Sequence, residues 1–242
     1  RKDILGFLPE MMQKIYDERT IYKKRMLKSK QALEHATTST ETTSLQKDIS
    51  KFNNIQMARK IQLNSAYGAI GNQYFRYYNL ANAEAITLSG QVSIRWIEGK
   101  VNAYLNKLLK TEDHDYVIAS DTDSIYICLD LLVRSVFPSC DVPPKKVVNF
   151  INTSCTNLIE PFIEKSYKEL ADYVSAYDQK MVMKRENIAS TGIWTAKKRY
   201  ILNVWDSEGV RYEKPKLKIF EVKSGTKVFD WRIPNIWEIK DA

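Results

Sequence analysis

Apolar residues recur at helical spacing through the first part of the chain. Between Leu5 and Leu33, helix formers carry Met12, Ile15, Tyr16, Tyr22, Met26 and Leu33 among many cations, which predicts a first long helix. The segment ATTSTETTS, Ala36 to Ser44, is β-branched and hydroxyl-rich and is expected to be a turn or exposed loop. From Leu45 the pattern resumes, with Ile49, Phe52, Ile55 and Ala58 in phase, and a second helix is expected to end near Gly68 or Gly71. Together they predict a helical hairpin. A third helix runs from Glu84 to about Leu109, where Ile86, Val92, Ile94, Trp96, Ile97, Val101, Tyr104, Leu105 and Leu108 crowd more than one face, so it is expected to be well buried.

Beyond this point the strand period takes over. Tyr116 to Ile118 and Ile125 to Leu129 are β-branched or aromatic runs separated by a polar knot, ASDTDS, and predict a tight hairpin. The proline-bearing loop FPSCDVPPKK leads into a helical region from about Lys145 to Ala171. Tyr177 to Lys184 alternates as a strand, and WTAKKRYILNVWDSEGVRYEKPKLKI reads as a hairpin turning at Asp206 to Gly209. Helices first, then strands mixed with helices, predict an α+β fold: a helical hairpin followed by an antiparallel sheet flanked by helices.

Composition changes this picture in one respect. With 242 residues, 44% of them hydrophobic, the chain can bury one large core or two small ones. The net charge is +8, and Lys180 to Lys218 alone holds ten basic and four acidic residues, which suits a polyanionic partner. Cys128, Cys140 and Cys155 have no C-x-x-C spacing, and His35 and His114 stand alone, so neither a disulfide framework nor a zinc site is supported. No apolar run approaches the roughly 20 residues of a membrane span. The chain opens on Arg1 rather than Met, inside an expected helix, so a preceding segment is expected.

Four groups of residues can carry chemistry. On a pleated strand, residues two apart share a side, so Asp121 and Asp123 can converge on one cation, and magnesium takes one or two carboxylates plus substrate phosphates. Aspartate and serine are also ordinary turn residues, which leaves both readings open. Lys60, Asn64 and Tyr67 fall on one helical stripe, a cation, an amide and a ring that suit a triphosphate with its sugar or base, or equally a solvated face. Arg19 and Lys23 form a second cationic stripe on the first helix. In KKRY, strand alternation sends Lys198 and Tyr200 to one face and Lys197 and Arg199 to the other, where cations and a ring suit a nucleic-acid backbone.

The order K-x-x-x-N-S-x-Y-G, then D-T-D-S, then K-K-R-Y resembles motif B, motif C and the KKRY motif of family B DNA polymerases. The stretches NSAYGAIGNQYFRYYN and WTAKKRYILNVWDSEGVRYEKPKLKI are most similar to those of the replicative enzymes of large tailed bacteriophages. The resemblance runs from about Leu8 to Ile219. It implies fingers over residues 1–72, a palm over 73–220 and a divergent tail over 221–242 in place of a thumb. Asp123, supported by Asp121, would bind two magnesium ions and catalyse nucleotidyl transfer, with Glu186 of KREN a weaker metal-site match. Arg19, Lys23 and Lys60 would contact the deoxynucleoside triphosphate, while Asn64, Tyr67 and Gly68 shape the pocket of the nascent pair. Lys198 and Tyr200, with Lys197 and Arg199 beside them, would meet primer-template DNA.

The chain departs from the family pattern at both ends. No D-x-x-S-L-Y-P motif A string and no exonuclease acidic motif is present, so the chain is expected to be inactive alone and to need an N-terminal fragment carrying both. Ser224 to Ala242 are similar to the opening of some bacterial aminopeptidase-like proteins. A sliding clamp would be reached through the absent C-terminal part, and the cytoplasm of an infected bacterial host is the implied setting. The rival readings are a reverse transcriptase, whose paired acids are adjacent rather than separated by Thr122, and a noncatalytic nucleic-acid-binding remnant.

Overall fold

The computed structural model describes residue 4 and residues 6–138, 142–196 and 198–220. Two long helices, α1 (Phe7–Leu33) and α2 (Ser39–Ile70), pair as a hairpin, joined by Arg59 to Glu18 at 2.7 Å and by the rings of Tyr22 and Phe52 at 6.3 Å. The expected loop over Ala36 to Ser44 is confined to its first residues, because α2 already begins at Ser39. Thr38 caps it by accepting the Glu41 N–H at 3.4 Å, in the T-x-x-E arrangement of a capping box. The hydroxyls of Thr42 and Thr43 donate back to the carbonyls of Thr38 and Ser39 at 2.9 Å. A start signal and locally satisfied hydroxyls outweigh the low helix propensity of these residues.

The third helix, α3 (Leu80–Leu109), is capped by Asn79, whose side chain accepts the Asn82 N–H at 3.0 Å. Its buried stripe is Ser93, Ile97, Val101 and Leu105, at successive i, i+4 positions. The expectation of burial on more than one face is corrected for the first half of the helix, where Leu80, Ile86, Leu88 and Val92 are exposed; in the second half Trp96, Tyr104 and Leu109 pack beside the buried Ile97, Val101 and Leu105. Following it are β1 (Val117–Asp121), β2 (Ser124–Ile127), α4 (Asp130–Val136) and α5 (Pro144–Ser154). A π turn (Cys155–Ile159) then leads into α6 (Glu160–Tyr173). The helix expected over this region forms, interrupted by the π turn just ahead of Pro161, which has no N–H to donate to the preceding turn.

The main core forms where α3 packs on α6 and the first hairpin, joining Ile97, Val101, Leu105, Tyr116, Val117, Ile159, Ile163, Tyr167 and Leu170. Tyr104 and Phe162 stack at 4.1 Å beside it, and the Trp96 indole N–H donates to the Ser166 carbonyl at 3.0 Å. Burial raises the Cys155 thiol to about 11, with Arg185 opposing and Glu160 adding to that effect. Below pH 8 this lowers the thiolate fraction about 10²-fold against an ordinary cysteine. Iodoacetamide is thus expected to modify Cys155 roughly 10²-fold more slowly than a free peptide thiol; equal rates would show that this core opens.

The remaining strands, β3 (Asn187–Ala196), β4 (Arg199–Ser207) and β5 (Val210–Phe220), form an antiparallel sheet with β4 central. The strand expected over Tyr177 to Lys184 does not form. There the Gln179 side chain donates to the Met181 carbonyl and accepts its N–H, each at 2.6 Å, occupying the backbone groups that a ladder requires. The strand expected to run through KKRY is also broken, since the chain reverses between Ala196 and Arg199 with Lys198 at φ 61°.

Candidate functional site

The first hairpin is fixed from below by α3. Asn102 accepts the N–H groups of Tyr116 and Val117 at 2.9 Å each, and Asn106 accepts the His114 N–H at 2.9 Å, so the entry of β1 is pinned to a rigid helix. Asp121 and Ser124 are paired across β1 and β2, leaving Thr122 and Asp123 as a two-residue loop. The Asp123 N–H donates to the Asp121 carbonyl at 2.6 Å, and the Ser124 hydroxyl reaches the same carbonyl at 3.1 Å. Thr122 has φ 54°, a left-handed conformation that β-branched residues rarely adopt, and such strain gathers at functional sites.

This geometry corrects the expected pleat. Asp121 ends a strand and Asp123 sits exposed in the turn, so the two do not share one side of a strand through alternation; they are linked through the backbone of a tight reversal. The Asp121 carboxylate accepts the Thr122 hydroxyl at 3.0 Å and lies 3.4 Å from Lys198 Nζ. The same ammonium donates to the Thr122 hydroxyl at 3.5 Å. Lys198 is held there by the β3–β4 turn, so the expected alternation of KKRY is replaced by a reversal that aims this lysine at the carboxylate loop. Lys197 lies outside the described residues.

Tyr200 is buried in a three-ring cluster, with Tyr126 of β2 at 5.3 Å and Trp194 of β3 at 6.2 Å; Tyr126 and Trp194 are themselves 5.3 Å apart. Gly192 makes room for this cluster, because a Cβ there would fall 2.7 Å from the Trp194 ring. Burial first, then the hydrogen bond with Tyr126 and the charges of Asp121 and Glu186, push the Tyr200 hydroxyl far above the usual tyrosine range. Tyr200 therefore stays a neutral hydroxyl at any working pH. Tyr167 of α6 is raised by burial and then by the Asp123 charge, which puts that side chain within electrostatic reach of the turn. Lys198, Asp121 and Thr122 are thus in contact, and the charges of Asp121 and Glu186 both act on Tyr200. Arg199, the first residue of β4, is exposed.

The helical hairpin places its candidates separately. Lys23 pairs with Glu208, in the β4–β5 turn, at 2.7 Å. Arg19 is half-buried, its Nε without a hydrogen-bond partner among the described residues. Lys60 and Asn64 are exposed on α2, and the Tyr67 hydroxyl meets that of Thr87 on α3 at 2.6 Å. Around Gly68 the space is open.

The pattern along the chain did not reveal the charged group behind the sheet. Asp206, fully buried on β4, pairs with Arg185 and with Arg211 of β5. Arg185 also donates to Asn152 at 2.8 Å, and Arg211 to Asn149 at 2.8 Å, tying the sheet to α5. Its members come from three segments with no shared period, so the one available signal was the lone acid inside the apolar strand ILNVWD.

The sequence matches the DNA polymerase family B over residues 2–136. The chain belongs to DNA polymerase family B. It is 44% identical over 180 residues to a DNA-directed DNA polymerase of Enterobacteria phage T4, covering 71% of this chain and 20% of the relative. The corresponding protein of Escherichia phage RB69 is 44% identical over 177 residues, covering 70% and 20%. The chain thus spans about a fifth of the length of these relatives. A stretch of 26 residues, 11% of the chain, is 73% identical to a protein of Clostridium acetobutylicum whose name includes an aminopeptidase-like domain, covering 6% of that protein. The tail over 221–242 lies outside the described residues. The family B match takes in α1, α2, α3 and both carboxylates of the first hairpin, whereas Glu186 and Lys198 to Tyr200 lie beyond it.

Among the described residues, no three or more His, Cys, Asp and Glu side chains gather as an ion site. Asp121 and Asp123 offer two hard oxygen donors at one turn, a set that fits magnesium when phosphate oxygens complete the coordination. No helix among the described residues is long and apolar enough to cross a membrane.

Proposed function

We propose that this chain supplies the fingers, residues 1–72, and much of the palm, residues 73–220, of a DNA-directed DNA polymerase. The reaction is nucleotidyl transfer: a primer 3′-oxygen bonds to the α-phosphorus of a deoxynucleoside triphosphate and pyrophosphate leaves. The observation that carries this reading is the strained carboxylate turn lying against Lys198 and Tyr200. One face then offers oxygen donors for metal beside a cation and a buried phenol for DNA.

Asp123 and Asp121 would hold two magnesium ions, with Glu186 a weaker candidate ligand from the end of the loop before β3. When bound, such ions neutralise the charge on the attacking and leaving oxygens. Lys198, which pairs with Asp121, would meet a DNA phosphate, while Arg199 and Lys197 would extend the basic edge. Tyr200, neutral and fixed between two rings, orients the primer end. Lys60, Arg19 and Lys23 draw the triphosphate to the helical hairpin, and Asn64, Tyr67 and Gly68 bound the new base pair. A polypeptide carrying motif A and the exonuclease would complete the site, and a sliding clamp would be a further partner. The setting is the cytoplasm of an infected bacterial host.

Magnesium-dependent primer extension tests this assignment, using the chain alone and mixed with an exonuclease-plus-motif-A fragment of a related phage polymerase. Extension is expected only in the mixture. A mixture that associates and binds DNA but extends nothing would instead make this chain a noncatalytic nucleic-acid-binding remnant.

A further inference from the structure

We propose that Glu208 is the docking residue of the fingers helix: its carboxylate holds Lys23 while no triphosphate is bound and releases it to the incoming phosphates. This rests on the reading of Lys23 as a triphosphate contact. The pair is 2.7 Å apart with side chains 36% and 22% exposed, so it is reachable by ligand yet partly shielded from water.

Two further contacts lie on the same face of α1. The Gln31 side chain accepts the Arg211 N–H at 3.0 Å, and Glu34 pairs with Lys216 at 2.6 Å. Lys23, Gln31 and Glu34 are spaced eight and then three residues apart, which keeps them on one helical stripe. Helix α1 therefore lies along β5, with its Lys23 end at the hairpin turn.

The turn itself is held by its own backbone contacts. Glu208 has φ 53° and Gly209 φ 88°, and the Gly209 N–H donates to buried Asp206 at 3.0 Å. The Glu208 N–H donates to the Glu186 carbonyl at 2.6 Å. Through its side chain Glu208 holds the fingers, and through its backbone it is fixed beside Glu186, whose charge acts on Tyr200. One residue thereby joins the helical hairpin to the primer-end side of the site.

The chemistry favours exchange. A lysine ammonium is a point charge without the fork geometry that would tie it to one carboxylate, and a triphosphate presents several charges where Glu208 presents one. A pair of this exposure shifts an equilibrium by only about 2- to 5-fold, enough to bias α1 toward docking without locking it.

The test titrates a fluorescent dATP analogue, with magnesium, into the chain and follows hydrogen exchange in α1. Glu208→Gln is expected to tighten binding about 2- to 5-fold and to speed exchange over residues 19–34. Its gain should vanish in a Lys23→Ala background, which a merely structural role would not produce. Lys60→Ala and Lys23→Ala should each weaken binding. If they do, but Glu208→Gln leaves affinity and exchange unchanged, the docking role is overturned and the nucleotide reading stands. If neither lysine variant affects binding, the reading of Lys23 falls, and the proposed exchange falls with it.

Discussion

Replacing Asp123 by alanine is expected to lower magnesium-dependent extension by the reconstituted polymerase roughly 10³-fold or more, down to background. The side chain is exposed at the tip of the β1–β2 turn, and no hydrogen bond or ion pair among the described residues uses it. Its removal should therefore leave the fold unchanged, because Asp123 lends the turn its backbone and the strained position is Thr122. Circular dichroism and thermal melting of the variant should match the parent. Asp121→Ala should cost less activity but also disturb Lys198, whose ammonium sits 3.4 Å from that carboxylate. A variant at Asp123 that keeps extension within a few-fold of the parent would remove this carboxylate from the metal site. A variant that melts early would show instead that the turn needs its charge.

The carboxylate turn was legible in the sequence because its signals are local: two strand-type runs, a polar knot between them and a family motif on the knot. What alternation could not foresee is that Thr122 would take a left-handed conformation, so that the two acids flank a reversal and do not lie along one pleat. The same limit applies to KKRY. Its residues read as a strand, but Lys198 turns the chain and reaches Asp121, a partner on a different sheet. Helix α2 shows the opposite balance. The T-x-x-E signature at Thr38 was present all along, and composition alone suggested a loop. The apolar residues of α3 pointed to burial on several faces, yet apolarity does not say which neighbour is available to cover a face. The pairing of α1 with α2 was legible from two periodic segments joined by a short break, whereas the docking of Lys23 on Glu208 depends on tertiary distance, which no window of sequence contains.

The largest effect on stability is expected at a residue that no motif marked. Asp206→Asn should destabilise the chain by about 3–5 kcal/mol and lower its melting temperature by roughly 10 °C or more. Asp206 has 0% exposure, and its carboxylate faces two guanidiniums, Arg185 and Arg211. Neutralising it leaves two cations beside the sheet whose remaining side-chain partners among the described residues are amides, Asn152 and Asn149. Breaking such a buried group by removing one member is costly because the surviving charges lose their compensation. The order of effects follows from burial. Arg185 is 13% exposed and Arg211 is 34% exposed, so Arg185→Met should destabilise more than Arg211→Met, and both less than Asp206→Asn. The loss should also reach the functional face. Asp206 accepts the Gly209 N–H, which sets the turn carrying Glu208, and Arg185 adjoins Glu186 in the chain. Asp206→Asn should therefore speed hydrogen exchange at the β4–β5 turn and in α1 together. Thermal melts of the three variants, with exchange mapped on the turn, check the order. Equal melting temperatures would mean that apolar packing around Leu202 and Val204 holds this sheet without the buried charges.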